Sequence, residues 1–124
     1  MEEHVSSSEG TLDRLEDMER TFLHSPEAFQ EVLHMLVERF QALKEELGHV
    51  VATRHHQELL YKVHQLKGYP LAYSSQIFAG VYAQIYRTPQ PTEVQWQAWA
   101  QVILDEINAI QEAARRRIAE YEQS

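Results

Sequence analysis

Histidine supplies most of the reactive chemistry in this chain, which has seven imidazoles and no cysteine. The missing thiols exclude a disulfide scaffold, a cysteine nucleophile and thiolate metal sites, and they suit a reducing compartment. No two histidines stand three or four residues apart, so no helix face offers an imidazole pair to zinc. His55 and His56 are adjacent and diverge by about 100° on a helix. Two Glu-x-x-His pairs, Glu31/His34 and Glu46/His49, have the spacing used by di-iron bundles. Such bundles need the pairs on different helices facing inward. Here both fall in one helical stretch, and Glu31 and His34 point well over 90° from its apolar stripe, at about 100° per residue. They read as a solvated face, and no metal site is expected.

His64 stands apart because of its neighbours. With Leu59, Val63 and Leu66 taken as the core direction, His64 lies about 120° around the helix, beyond the buried stripe. Leu60 is one turn before it, Lys67 three residues after and Gly68 four after. Leu71 joins the same side if the helix continues that far. This predicts an accessible imidazole bordered by an apolar side chain, a cation and a residue with no side chain.

The elements that must hold these residues are helical throughout. Residues 1–10 (MEEHVSSSEG) read as a flexible tail. A short helix is expected from Leu12 to Leu23, with Leu12, Leu15 and Phe22 on its apolar side. Ser25-Pro26-Glu27 is a start signal: a capping hydroxyl, a proline at the first helical position and an acid at the positive helix end. From there Phe29, Leu33, Leu36, Phe40, Leu43 and Leu47 recur at alternating spacings of four and three, one stripe ending near Gly48. A third helix starts near Thr53, reaches Lys67-Gly68 and is disturbed at Pro70. A fourth covers Ser74 to Arg87, with Phe78, Val81, Tyr82 and Ile85 inward. The segment Thr88–Thr92 is a two-proline hinge, and Thr92 with Gln95 forms a capping-box pattern. Trp96, Trp99, Ile103, Ile107, Ile110, Ala114, Ile118 and Tyr121 then mark a last long helix. Nothing alternates with period two for long enough to make a strand. The expected fold is all-α, an antiparallel four-helix bundle with an additional short N-terminal helix, folded as a single domain over residues 11–124.

The segment Val-His-Gln-Leu-Lys-Gly, Val63 to Gly68, resembles the signature of histidine phosphotransfer (HPt) domains of two-component phosphorelays: His, any residue, an aliphatic, Lys, Gly. The setting strengthens the likeness, since a Leu36–Phe40 helix precedes it and a further helix pair follows. The resemblance covers roughly residues 12–118. It implies that His64 is the phosphoacceptor, a neutral imidazole being a competent nucleophile near pH 7. It implies that Lys67 stabilises the charge of the transferred group, and that Gly68 leaves room for that group and for the partner. Leu60, Tyr61 and Leu71 would form an apolar docking rim. No bound cofactor is implied, because the magnesium and the donor or acceptor aspartate belong to the partner receiver domain.

The chain departs from the family pattern at three places. Tyr69-Pro70 stands where two small residues are usual, and Ser74 where Gly is frequent. Tyr86 stands where a polar residue, often Gln, orients the imidazole; its hydroxyl, or else Gln84, would take that role. The function implied is a phosphocarrier between the receiver of a hybrid sensor histidine kinase and a response regulator. The alternative is a docking module of the same fold with little or no transfer. Autonomous kinase activity is not expected, since no phosphate-binding loop or kinase motif is present. The 11 Lys+Arg against 19 Asp+Glu give a formal charge of −8, which disfavours nucleic acid and anionic lipid as partners. No apolar run approaches the roughly 18 residues of a membrane span, and the N-terminus has no signal-peptide core. A monomeric cytoplasmic protein is the expectation.

Overall fold

The computed structural model describes residues 3–123, with side chains described from Gly10 onward. Five helices account for it: α1 (Glu3–Thr21), α2 (Pro26–Thr53), α3 (His56–Leu66), α4 (Gln76–Arg87) and α5 (Glu93–Gln123). Among the described residues there is no strand, and no helix is long and apolar enough to cross a membrane. The all-α class, with four main helices and one N-terminal addition, is the one the periodicity predicts.

The long helices α2 and α5 form the spine and run antiparallel. Gln111 Nε2 donates to the Val37 carbonyl at 3.1 Å, Lys44 Nζ to Asn108 Oδ1 at 2.9 Å, and Trp96 Nε1 to the Val51 carbonyl at 3.0 Å. Positions thus climb on α2 as they fall on α5. The Arg54–Glu93 pair closes the far end. Every apolar stripe residue expected on α2 is buried, as are Leu59, Val63 and Leu66 on α3 and the α5 series from Trp96 to Ile118. The shorter α3 and α4 are pinned where α3 begins and α4 ends, by His56 Nε2 donating to the Ile85 carbonyl at 2.7 Å. Helix α1 lies along α5 through Arg14–Glu106 and through Glu19 with Arg117 and Tyr121.

The boundaries differ from expectation in instructive ways. Of the segment read as a tail, residues 1 and 2 lie outside the described part, while Glu3 to Gly10 are helical and extend α1 to 19 residues. No proline interrupts Glu3 to Thr21, and a single Gly10 costs a helix only about 1 kcal/mol. The buried face of α1 is Thr11 and Leu15, with Phe22 half-buried, whereas Leu12 is 46% exposed. Helix α2 runs past Gly48 to Thr53, carrying the half-buried Val50 and Val51 onto the core. Their burial, worth about 1.5–3 kcal/mol for a fully buried aliphatic, outweighs the glycine. The stop is Arg54, in the left-handed region at φ 57°.

Helix α3 consequently starts at His56, with the His55 ring accepting from the Glu58 amide as its cap. Ser25 holds the N-cap of α2 without a side-chain bond, leaving Pro26 as the working start signal. Ser75, not Ser74, caps α4: its hydroxyl accepts from the Phe78 amide at 3.2 Å and donates to Glu106 at 2.7 Å. The Thr92–Gln95 capping box forms as its sequence requires, with reciprocal bonds of 2.9 and 3.1 Å.

Candidate functional site

The spacing of α3 decides which side chains face outward. With Leu59, Val63 and Leu66 fully buried, His64 is turned to solvent between them, as the helical wheel requires. Tyr61, one turn earlier on the same flank, is 66% exposed, and Leu60 is half-buried. Lys67 and Gly68 follow where the helix ends. The Lys67 amide still reaches the Val63 carbonyl at 3.1 Å, but those of Gly68 and Tyr69 reach back only three residues, to Gln65 and Leu66. That tightening precedes Pro70, which has no amide to continue the ladder.

Beyond Pro70 the chain turns back on itself, with Leu71 at φ 72° and Ser74 at φ 71°. The reversal corrects one expectation: Leu71 does not extend the rim beside His64. Its side chain is 3% exposed and belongs to the core, because the helix ends before it could be carried to the outer face. Its carbonyl accepts from Arg14 Nε at 2.5 Å, tying this loop to α1. The same guanidinium lies 3.6 Å from the buried Glu106, which also receives the Ser75 hydroxyl. Burial pushes the Arg14 pKa down, against the pull of Glu106 and Asp13. A groove of about 480 Å³ runs between α1 and this loop, with Leu71 and Met18 in its lining and Gly68 at its edge.

Two cations accompany His64 on α3, and their surroundings differ. Lys62 is buried and turned toward α2, with Nζ 2.5 Å from Glu46 and 3.0 Å from the Gln65 side-chain oxygen Oε1. The hydrogen bond from Lys62 holds the Glu46 carboxyl below its ordinary value. Lys67 instead lies against α4, with Nζ 4.7 Å from the centre of the Tyr82 ring. The imidazole of His64 is 6.1 Å from the same ring, tilted by 45°. Tyr82 therefore joins the two residues that the sequence motif places one turn apart. Sequence reading put Tyr82 on the inward face of α4, but its meeting with His64 depends on the register of α3 against α4, which no local pattern states.

The residues expected to orient the imidazole do not do so here. Gln84 is turned toward α5, where its Oε1 accepts from Trp99 Nε1 at 3.2 Å. Two residues along a helix separate side chains by about 200°, so Gln84 cannot share the Tyr82 face. Tyr86 does share it, one turn on, but is 68% exposed. Among the described residues, no hydrogen bond reaches the His64 ring from either one. Tyr69 is held instead by Arg39, whose Nε donates to its hydroxyl at 2.9 Å, while its ring meets Phe40 edge-on at 5.8 Å. This clamps the turn after Gly68 to α2.

Gly68 is exposed, and its φ is not positive. A β-carbon there would meet only the Gln65 carbonyl oxygen, at 3.4 Å, so the backbone does not demand a glycine. Glu31, His34 and His49 are exposed on α2, whereas Glu46 is half-buried and bonded to Lys62. Among the described residues no group of three or more His, Asp or Glu side chains could hold a metal ion. No protein-family model matches the chain, and no curated protein or solved structure matches it either.

What the arrangement can do is limited and specific. An exposed imidazole can act as nucleophile, base or ligand. Beside it stand a lysine with no carboxylate partner among the described residues and an open glycine. Together they suit a small anionic group entering from solvent.

Proposed function

We propose that the chain is a histidine-containing phosphocarrier of the HPt kind. The observation that carries the reading is the joint placement of His64, Lys67 and Gly68 on one outward face at the end of α3. In this reading the unprotonated ring nitrogen of His64 attacks the phosphorus of a receiver-domain aspartyl phosphate. The new P–N bond forms as the aspartyl O–P bond breaks, returning a carboxylate to the receiver. A second receiver aspartate then reverses the step and restores the imidazole. The chain contributes the nucleophile, the Lys67 charge near the phosphoryl oxygens and the space above Gly68. Magnesium belongs to the receiver, so no resident cofactor is invoked. The partners are the receiver of a hybrid sensor histidine kinase and that of a response regulator, met in the cytoplasm by a monomeric carrier. The protein's charge of −8 favours partners with a basic docking face.

The conformation at Ser74 supports the same reading. HPt domains often carry Gly at this position, and here the residue lies in the left-handed region at φ 71°, where glycine is at ease. A docking module without transfer is the second reading, favoured by the lack of a hydrogen bond to the His64 ring from Tyr86 or Gln84. A radiolabelled phospho-receiver mixed with the protein and with His64→Gln separates the two. Acid-labile, base-stable label on the wild type alone supports the carrier. Receivers that bind but never load it support the docking module.

A further inference from the structure

Lys67 and Lys62 sit five residues apart on one helix end and are held by opposite means. Lys62 meets a carboxylate, Glu46, and its charge is compensated. Lys67 is held over a ring, 4.7 Å from the Tyr82 centroid, within the roughly 6 Å reach of a cation–π contact. A carboxylate would cancel the ammonium charge, whereas an aromatic face restrains the ammonium and leaves its charge available to an incoming anion. The same ring stands 6.1 Å from the imidazole at a 45° tilt, so it limits where both groups can go. Tyr82 is itself half-buried and packs against the core, which fixes the platform.

We infer that Tyr82 is a positioning residue: its ring face keeps the Lys67 ammonium, uncompensated, on the His64 side of α3 until a phosphoryl group arrives. This rests on the phosphocarrier reading and adds to it a residue of α4 that the His-x-x-Lys-Gly pattern does not contain. The working part is the ring and not the hydroxyl, so phenylalanine should replace it and leucine should not.

The test uses a small donor, phosphoramidate, so that no partner protein is needed. Its P–N bond breaks with release of ammonia as the P–N bond to His64 forms, and 31P NMR follows the phosphohistidine. Wild type, Tyr82→Phe, Tyr82→Leu, Lys67→Met and the Tyr82→Leu/Lys67→Met double variant are compared. The Lys67 ε-methylene proton shifts of the unphosphorylated proteins are recorded alongside, with circular dichroism as a check on folding. Tyr82→Phe should load like wild type. Tyr82→Leu should load about 3- to 10-fold more slowly, the scale of one lost cation–π contact, and should cost nothing further once Lys67 is methionine. The Lys67 ε-protons should be shifted upfield by the ring in wild type and Tyr82→Phe, and lose that shift in Tyr82→Leu. Ordinary ε-proton shifts in wild type overturn the inference. So does unimpaired loading of Tyr82→Leu, a full additive loss in the double variant, or a Tyr82→Phe defect equal to that of leucine. If wild-type His64 takes no phosphoryl group while the ring shift is present, it is the carrier reading that fails, and the positioning role falls with it although the contact stands.

Discussion

Gly68 offers a separation of stability from access. Its φ is not positive, and a β-carbon would meet only the Gln65 carbonyl oxygen at 3.4 Å. Glycine is therefore not required by the backbone, and the unfolded chain loses more entropy with it than with alanine. Gly68→Ala should stabilise the protein by about 0.4–1 kcal/mol. At about 2.1 cal/mol/K per residue over a chain of this length, that raises Tm by about 2–4 °C. Gly68→Gln should fold as well, but it places a long side chain in the space beside His64. Loading by phosphoramidate, a compact donor, should change little in Gly68→Gln. Transfer from a phospho-receiver should fall by about tenfold or more, equivalent to about 1.4 kcal/mol of lost docking. Thermal unfolding followed by circular dichroism and the two loading assays give the three numbers. A Gly68→Ala protein less stable than wild type would refute the backbone reasoning. Undiminished receiver transfer in Gly68→Gln would refute the access role.

Other consequences are equally direct. Ser74 is exposed in the left-handed region, so Ser74→Gly should raise stability by about 0.5–1 kcal/mol, whereas Leu71→Gly, at the same φ, should lower it because a core side chain is lost; urea unfolding checks both. Arg14→Met strips the buried Glu106 of a cation and the Leu71 carbonyl of a donor, and should cost about 2–3 kcal/mol in the same assay. The Glu46 carboxyl is held low by Lys62, so its contribution to stability is present above its ordinary value of 4.5 and is withdrawn as the pH falls through its lower folded value. Glu46→Gln should therefore be less stable than wild type at pH 7, with the gap narrowing at pH 3; urea midpoints that differ equally at both would contradict the linkage.

The helical class and its core were legible because each apolar stripe keeps a 3.6-residue period on its own. Phe29 to Leu47 on α2 and Trp96 to Ile118 on α5 needed no tertiary information. The exposure of His64 followed from the same wheel. What failed depended on where helices end. Gly48 looked like a stop and is merely an exposed helical position, since the valines beyond it still find the core. Leu71 looked like a rim residue on the condition that α3 continued past Pro70, whereas α3 ends at Leu66 and the turn at Gly68-Tyr69-Pro70 sends Leu71 inward. Tyr82, and the buried Glu106 beneath the α3–α4 loop, depend on contacts between residues far apart in the chain. Glu106 sits among the buried apolar side chains of α5, where it meets Arg14 and Ser75, 92 and 31 residues away in the chain.

The most direct test of the phosphocarrier reading is to locate the phosphoryl group. The protein is incubated with a phosphorylated receiver domain, digested at neutral to basic pH, and its phosphopeptides are sequenced by mass spectrometry. One phosphohistidine, at His64 among the seven histidines, is expected, and it should disappear in His64→Gln while receiver binding persists. Label on another histidine, or label that survives in His64→Gln, would contradict the assignment of His64 as the acceptor.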